Sequence, residues 1–428
     1  MKKILLILFG VLFVSGAYSA QIANVEYVHK MIEQTWDITV PYNNALNSVK
    51  QIANMKYLLS TIDVANHMLN GSATTDYGNG EFATLQVADT DTVNTAVETL
   101  VTDNGGRNYK FFITTTSNTT SFKFYLSAAG EFYVDWGDGT RNKITRTNTQ
   151  ELEYSHNYST AGTYTIKIGG KATAYNTSSN IAAIAFSNPS YSQYAYNIAS
   201  IDGSLGAIFG TLSSDTNNQP RFYRTFYVAY NMTGSIPANL FTGISGAPAS
   251  NMFYSTFSDC SGLTSIPSDL FAGISGAPAD GMFYETFRNC RGLTSIPAGL
   301  FAGISGKPAS DMFVGTFYGC TGLTSIPAGL FAGISGAPAE YMFANTFYGC
   351  TGLTSIPENL FGNISGTAQY RMFRLTFNNC TSLTGPSARI NGQYLYKIWP
   401  SAALDQVNGM YRGATGLSDY SSIPTYWK

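Results

Sequence analysis

The stretch "GMFYETFRNCRGLTSIPAGLFAGISGKPAS", residues 281–310, decides the fold because the chain repeats it almost letter for letter. Units that begin at Asn251, Asp311 and Tyr341 follow it closely, and a fifth begins at Arg371 and soon degrades. The pattern also fades before the first full unit, as expected where a terminal unit faces solvent on one side. A repeat of thirty residues therefore predicts an array of stacked units.

Nine apolar positions recur in every full unit and indicate the side that each unit buries against its neighbours. Within the quoted unit they are Met282, Phe283, Phe287, Cys290, Leu293, Ile296, Leu300, Phe301 and Ile304. The pattern predicts a short helix or helical turn from Met282 to Arg288. It also predicts a very short strand from Leu293 to Ile296, which Pro297 ends. Residues 303–308 should form a surface loop.

The five cysteines of the chain recur once per unit, at Cys260, Cys290, Cys320, Cys350 and Cys380. Zinc ligands usually arrive in close pairs and a nucleophile needs a neighbouring base, so neither use fits one thiol per unit. Disulfides between adjacent units stay open, although an odd number leaves at least one thiol free. We expect a ladder of buried thiols, each a weak donor to a turn carbonyl.

The arrangement F-x-x-C-x-x-L-T-S-I-P-x-x-L-F resembles the BspA-like class of leucine-rich repeat, which is found on many bacterial and some protist surface proteins. The resemblance covers roughly residues 180–428 and recurs at fixed offsets. The unit here is longer than is usual for that class, because it adds a "GISGxPA" loop. The resemblance implies a leucine-rich-repeat solenoid on an exported or cell-surface binding protein.

Apolar and polar residues alternate between Tyr109 and about Lys171, which predicts half-buried strands. The alternating residues are Phe122, Phe124 and Leu126, then Phe132, Val134 and Trp136, then Tyr164, Ile166 and Ile168. Two motifs accompany them, "VDWGDGT" at residues 134–140 and "SHNYSTAGTYTIKI" at residues 155–168. This pair resembles the polycystic-kidney-disease (PKD) type of β-sandwich, which implies a small Ig-like all-β domain.

The "VDWGDGT" segment carries two carboxylates, Asp135 and Asp138, that invite comparison with calcium ligands. Calcium takes about six to eight oxygen ligands, whereas an aspartate between glycines is typical of a tight turn, so we interpret both as turn residues. His156 and Tyr158 should lie on the strand that faces this turn. We predict no metal and no cofactor, since the three histidines of the chain are scattered and lack partners at ligand spacing.

The first twenty residues are typical of a secretory signal peptide, with two lysines, an apolar run and small residues after it. The apolar run is too short for a membrane span, so we expect an exported protein without one. Residues 21–104 show helical spacing in three segments and predict a helical spacer or assembly segment.

The composition argues against two classes of partner. Charged residues make up only 12% of the chain and the formal net charge is −2. Binding to nucleic acid or to an anionic membrane calls for clustered lysine and arginine, so we expect neither. We also expect no enzyme, because no Ser/His/Asp set, phosphate-binding loop or paired acid has supporting context.

Together these features predict an α+β fold class: a leucine-rich-repeat solenoid of 30-residue units, preceded by a small Ig-like or PKD-like sandwich and a short helical N-terminal segment. The expected boundaries are residues 1–20 for the signal peptide, 21–104 for the helical segment and 105–180 for the PKD-like sandwich. The BspA-like array with degenerate terminal caps should occupy residues 181–428.

Positions that differ between units should face solvent, and tyrosine and arginine there suit a binding surface. The candidate binding residues are Tyr254, Tyr284, Glu285, Arg288, Tyr318, Tyr348 and Arg374. Other variable positions include Ser255, Ser258, Val314, Ala344 and Asn378. The alternative interpretation is that these positions are merely unconstrained surface.

The sequence thus favours a secreted or cell-surface binding protein, an adhesin-type scaffold whose array binds an extracellular protein or the surface of a host or neighbouring cell. Two alternatives stay open. One is a carbohydrate-binding surface protein, in which the PKD-like domain and exposed tyrosines stack on glycans. The other is a passive surface-layer or stalk component.

Overall fold

The computed structural model describes residues 109–188, 195–212, 218–402 and 404–428. The predicted signal peptide and the predicted helical segment at residues 21–104 lie outside these residues. The described part belongs to one compact unit, Asn108–Lys428, which contains both the sheets and the repeat units.

Eight strands come first in the described chain. Their bounds are β1 Tyr109–Thr115, β2 Thr119–Leu126, β3 Ala128–Asp135, β4 Arg141–Arg146, β5 Leu152–Gly162, β6 Thr165–Tyr175, β7 Ile184–Ala185 and β8 Ile198–Gly203. They form two antiparallel sheets, one with the order β4-β3-β6-β1-β8 and one with the order β5-β2-β7. The strands expected from the alternation around Phe122, Phe132 and Ile166 are confirmed as β2, β3 and β6.

The buried faces of the two sheets share one core because each strand alternates apolar and polar residues. Phe186, just after β7, lies 5.9 Å from Phe111 of β1 and 6.3 Å from Phe124 of β2, measured between ring centroids. Phe226 lies 5.4 Å from Phe186 and carries the same core into the repeat units. Strands β7 and β8 lie beyond residue 180 and pair with β2 and β1, respectively. The boundary between sandwich and array at residue 180 stays a prediction.

The first ten residues of each repeat unit form consecutive turns that bond to the next unit. The N–H of Phe283 donates to the carbonyl of Met312 at 3.0 Å. Two residues on, the N–H of Glu285 donates to the carbonyl of Val314 at 2.7 Å. The residue between them bonds inside the unit, because the N–H of Tyr284 donates to the carbonyl of Gly281 at 3.0 Å. Successive backbone N–H groups therefore alternate between hydrogen bonds inside the turns and hydrogen bonds to the next unit.

Every fourth residue of this segment adopts a left-handed backbone. In the unit quoted above these residues are Gly281, Glu285 and Asn289, with φ of 60°, 49° and 55°. Glycine, asparagine and aspartate tolerate this conformation best, whereas other residues pay a cost of about 1–2 kcal/mol. A left-handed residue at each fourth position interrupts any α-helix, so the chain closes a series of short turns instead.

The expected α+β leucine-rich-repeat solenoid is therefore wrong. Residues 282–288 form turns rather than a helix, and Leu293–Ile296 is not a strand in this unit. In the preceding unit a strand does form, Leu263–Ser265. The described residues are mostly antiparallel β-sheet and turns, and their helices are confined to a few short segments near the C-terminus. The three-to-four spacing of apolar residues resembled a helix because a chain of four-residue turns buries its side chains at nearly the same interval.

Phenylalanines stack along the repeat units in three columns. Between neighbouring units the ring centroids are 5.6 to 5.8 Å apart in the first column, 5.4 to 5.7 Å in the second and 5.9 to 6.4 Å in the third. The columns are Phe253, Phe283, Phe313, Phe343 and Phe373; Phe257, Phe287, Phe317, Phe347 and Phe377; and Phe241, Phe271, Phe301, Phe331 and Phe361. Each unit therefore buries its aromatic residues against equivalent residues of its neighbours.

The segment at residues 303–308, expected as a surface loop, forms a second ladder between units. The N–H of Gly276 donates to the carbonyl of Gly303 at 2.9 Å, and the N–H of Ser305 donates back to the carbonyl of Gly276 at 2.9 Å. Ile304 is buried while Ser305 is exposed. The predicted surface position is therefore correct for Ser305 but not for Ile304.

The remaining elements are short and lie within the units or at the C-terminal end. They are β9 Gly234–Ser235, β10 Leu263–Ser265, β11 Ser335–Gly336, β12 Asn363–Ile364, β13 Arg389–Ile390, β14 Gln393–Tyr394, α1 Leu395–Ile398, α2 Leu404–Val407 and the 3-10 turns Tyr420–Ser422 and Thr425–Trp427. Tyr411 stacks on Phe377 at 6.1 Å and on Trp427 at 6.3 Å. The rings of Tyr411 and Trp427 therefore cover Phe377, the last phenylalanine of the second column.

Candidate functional site: a tyrosine and arginine face on the repeat units

In the unit quoted above, the turn geometry sends four positions outward. Counting from Gly281 as position one, Met282, Phe283, Thr286 and Phe287 are buried. Positions four, five, eight and nine lie on the other side of the turns. We call their polar and aromatic residues the Tyr-Arg face, which consists of Tyr223, Arg224, Tyr227, Tyr254, Asp259, Tyr284, Glu285, Arg288, Tyr318 and Tyr348.

Four of the predicted binding residues pair up on this face. The rings of Tyr254 and Tyr284 are parallel within 3°, and their centroids are 4.3 Å apart. The rings of Tyr318 and Tyr348 are parallel within 1° at 4.5 Å. All four side chains are half-buried. Each pair stacks because its members occupy the same position in successive units.

A charged cluster joins the two pairs. One guanidinium nitrogen of Arg288 lies 3.3 Å from Oδ2 of Asp259, and its Nε lies 3.6 Å from Oε1 of Glu285. The same guanidinium lies 5.2 Å from the ring centroid of Tyr318, a cation–π distance. The face therefore presents arginine and carboxylate charges that partly satisfy one another.

Arg224, Tyr223 and Tyr227 belong to the face but were absent from the residues selected from the sequence. Its guanidinium carbon lies 5.1 Å from the ring centroid of Tyr223, 5.4 Å from that of Tyr227 and 5.8 Å from that of Tyr254. The segment "FYRTFYVA", residues 222–229, aligns with "FYSTFSDC", residues 253–260, at a spacing of 31 rather than 30. The F-Y-x-T-F pattern was the signal that would have identified it.

Arg374 is the one predicted binding residue outside this set. It occupies position four, as Tyr284 does, but two further units separate them. The position-four residues of these two units, Val314 and Ala344, are buried and aliphatic. The structure thus brings six of the seven predicted residues together in the Tyr-Arg face, whereas Arg374 lies at position four of the unit that follows Tyr348.

Several variable positions that were expected to face solvent do not. Ser255, Ser258, Val314, Ala344 and Asn378 are buried. Small residues at positions four, five and eight are covered by the larger side chains of neighbouring units. Variation between units therefore did not mark exposure at these positions.

Burial and charge shape the titration of the face. Burial raises the pKa of Glu285, Arg288 lowers it, and Asp259 raises it further, with a net upward shift. Burial likewise raises the pKa of Tyr254 well above its ordinary value. Tyr254 therefore stays protonated at physiological pH and offers a hydroxyl donor.

The five thiols lie beneath the face, in the core of the array. All are free and fully buried, and each Sγ donates to a phenylalanine carbonyl of the preceding unit at 3.0 to 3.2 Å. A column of buried threonines, which includes Thr286, donates its Oγ1 to phenylalanine carbonyls in the same way, at 2.7 to 2.9 Å. Burial raises the pKa of Cys320 to about 12, which leaves the thiol protonated.

The turn between β3 and β4 forms a second polar cluster. Oδ1 of Asp135 accepts the N–H of Gly137 at 3.0 Å, and Oδ1 of Asp138 accepts the N–H of Thr140 at 2.9 Å. His156 Nε2 lies 2.7 Å from Oδ2 of Asp138. Both aspartates therefore serve the turn.

The strand that faces this turn is confirmed by two contacts. Besides the His156 contact, the Tyr158 hydroxyl donates to the carbonyl of Trp136 at 2.9 Å. Beside the turn lies a cleft of about 370 Å³, which is lined by Trp136, Asn142, Lys143, Ile144, Thr145, Tyr154 and Ser155.

Residues 109–188, 195–212, 218–402 and 404–428 contain no group of three or more His, Cys, Asp or Glu side chains placed to hold a metal ion. They also include no helix that is long and apolar enough to cross a membrane.

Comparison of the chain with protein families, with curated proteins and with solved structures found no match.

Proposed function

We propose that the protein is an exported or surface-bound adhesin-type scaffold that binds an extracellular protein through the Tyr-Arg face. The observation that carries this proposal is the row of stacked tyrosines and arginines along successive units. Tyrosine and arginine are the residue types that most often dominate binding energy in protein interfaces. The signal-peptide pattern of the first twenty residues and the resemblance to BspA-like surface proteins support the same proposal.

The stacking lowers the cost of binding. The rings of Tyr254 and Tyr284 hold each other in place, as do those of Tyr318 and Tyr348. A partner therefore meets side chains that have already lost much of their rotamer freedom, which favours affinity. The partly compensated charges of Arg288 favour specific hydrogen bonds over non-specific ionic attraction.

A binding screen with the full chain tests the proposal. The probes are intact cells, matrix proteins and a glycan panel. Arg288→Ala and Tyr318→Ala should each weaken saturable binding to a protein or cell at least tenfold, because they remove a charged and an aromatic contact. The matched control is Lys307→Ala, which changes an exposed residue of the segment at residues 303–308. This variant should bind as the parent does. Equal binding by all variants would contradict the proposal.

Carbohydrate binding is the second candidate. The cleft beside Trp136 and Tyr154 supports it, since aromatic rings can stack on sugars. On the repeat units, however, stacked tyrosines cover one another's ring faces, which leaves fewer faces for a glycan. Glycan binding that Tyr154→Ala abolishes and Arg288→Ala leaves intact would favour this candidate. The absence of saturable binding to any probe would favour a passive stalk or surface layer.

A further inference from the structure

The two tyrosine pairs of the Tyr-Arg face have a geometry that suits covalent coupling. Tyr254 and Tyr284 lie at 4.3 Å and 3°, and Tyr318 and Tyr348 lie at 4.5 Å and 1°. The members of each pair occupy one position in adjacent units, so their hydroxyls lie side by side and interact. The carbons ortho to the two hydroxyls therefore face one another.

We propose that each pair is a site of oxidative cross-linking to dityrosine by a haem peroxidase with hydrogen peroxide. The oxidant removes one electron and one proton from each phenol, which leaves two phenoxyl radicals. The radicals form one carbon–carbon bond between ortho positions, and the two ortho hydrogens move to the oxygens. Hydrogen peroxide accepts the two electrons and two protons and becomes two waters, so the protein loses two hydrogens per cross-link.

Two other tyrosine pairs lack one of the requirements. Tyr158 and Tyr164 lie 3.6 Å apart, but Tyr158 is only 7% exposed and donates its hydroxyl to the carbonyl of Trp136. Tyr196 and Tyr230 are 48% and 50% exposed, but their centroids are 6.5 Å apart and their planes differ by 21°. Only the two pairs of the face combine partial exposure with parallel contact among these four.

The cross-link would tie neighbouring units together. Each pair spans 30 residues, so a bond between its members closes a 30-residue loop and restricts the unfolded chain, as a disulfide does. The inference does not depend on the proposed protein partner, because the oxidation needs no bound ligand.

The test treats the full chain with a haem peroxidase and hydrogen peroxide at low protein concentration. Peptide mass spectrometry should identify a 254–284 and a 318–348 cross-link, each lighter by two hydrogens than the sum of its peptides. Tyr284→Phe keeps the ring but cannot form a phenoxyl radical, so it should abolish the first cross-link and keep the second. Tyr348→Phe should do the reverse. Each variant thus reports its own folding through the cross-link that it retains.

Three outcomes would overturn the inference. They are dityrosine that forms only between chains, dityrosine that arises mainly at Tyr196–Tyr230 or Tyr158–Tyr164, and a yield that neither phenylalanine variant changes. Selective loss in both variants would support it. A thermal unfolding midpoint that rises by about 5 °C on cross-linking would support the tie between units, and an unchanged midpoint would count against that tie.

Discussion

The thiol of Cys320 donates a hydrogen bond to the carbonyl oxygen of Phe287 across 3.0 Å, although 33 residues separate them in the chain. The same carbonyl accepts the backbone N–H of Cys290 at 3.2 Å. A carbonyl has two lone pairs, and the thiol satisfies the second one without adding charge to the core. This relationship explains why a cysteine returns once per unit.

Replacing one thiol should therefore destabilise the array modestly. We expect Cys320→Ala to lower the free energy of unfolding by about 1–2 kcal/mol, through a small cavity and a lost donor. Lys307→Ala, an exposed change in the preceding unit, should stay within about 0.5 kcal/mol of the parent. Denaturant unfolding measures both, and a neutral Cys320→Ala would show that the hydrogen bond adds nothing.

The thiols should also be inert until the protein unfolds. A thiol-specific reagent should label none of the five cysteines in the native protein, because all are buried and their pKa values are raised. In denaturant without a reductant, all five should react. Fewer than five reactive thiols would indicate disulfides between units.

Glycine at Gly303 is required by a close approach of two backbones. A Cβ there would overlap the carbonyl oxygen of Ile274 in the preceding unit. We expect Gly303→Ala to cost at least about 2 kcal/mol of stability. Gly349→Ala is the comparison, because its φ is 67° and its nearest neighbour is 3.9 Å away. That change should cost only about 1 kcal/mol of backbone strain, and equal costs would contradict the overlap.

Stability should depend on pH through Glu285. Burial raises the pKa of its carboxyl in the folded state above 4.5, its value in the unfolded chain. The stability that this shift provides is fully present below pH 4.5 and is lost as the pH rises through the folded pKa. The parent should therefore lose stability relative to Glu285→Gln between pH 4 and pH 7. Denaturant unfolding at several pH values measures this difference, and a difference that stays constant or reverses would contradict the prediction.

Removal of one whole unit should preserve the fold. Deletion of residues 311–340 brings Tyr341 after Ser310 and places the carbonyl of Met342 where that of Met312 was, opposite the N–H of Phe283. We expect cooperative thermal unfolding within several degrees of the parent. Deletion of residues 311–325, half a unit, places unlike segments opposite one another and should abolish cooperative unfolding. Cooperative unfolding of the half-unit deletion would contradict the view that equivalent segments must lie opposite one another in neighbouring units.

The sequence was sufficient for the repeat and for much of the core. Phe283 and Phe287 recur at fixed offsets because each packs on its own equivalent in the next unit. The motif "VDWGDGT" likewise predicted the turn that receives His156 and Tyr158. Such features depend on residue type and spacing, which a single chain displays directly.

The local backbone and part of the candidate site were not predictable in this way. A left-handed residue such as Glu285 or Leu375 carries no signal in its identity, since stacking on neighbouring units imposes its conformation. The burial of Ser255 and Ser258 depends on side chains of other units. Arg224 was missed because its unit is offset by one residue from the regular period.

The two ladders between units have a mechanical consequence. Their hydrogen bonds join each unit to its neighbours, so tension along the chain should detach units one after another. Each detached unit of thirty residues adds about 100 Å of extended chain. We therefore expect a force–extension trace with a regular series of steps, in which the array lengthens under load and dissipates energy gradually instead of failing in a single event.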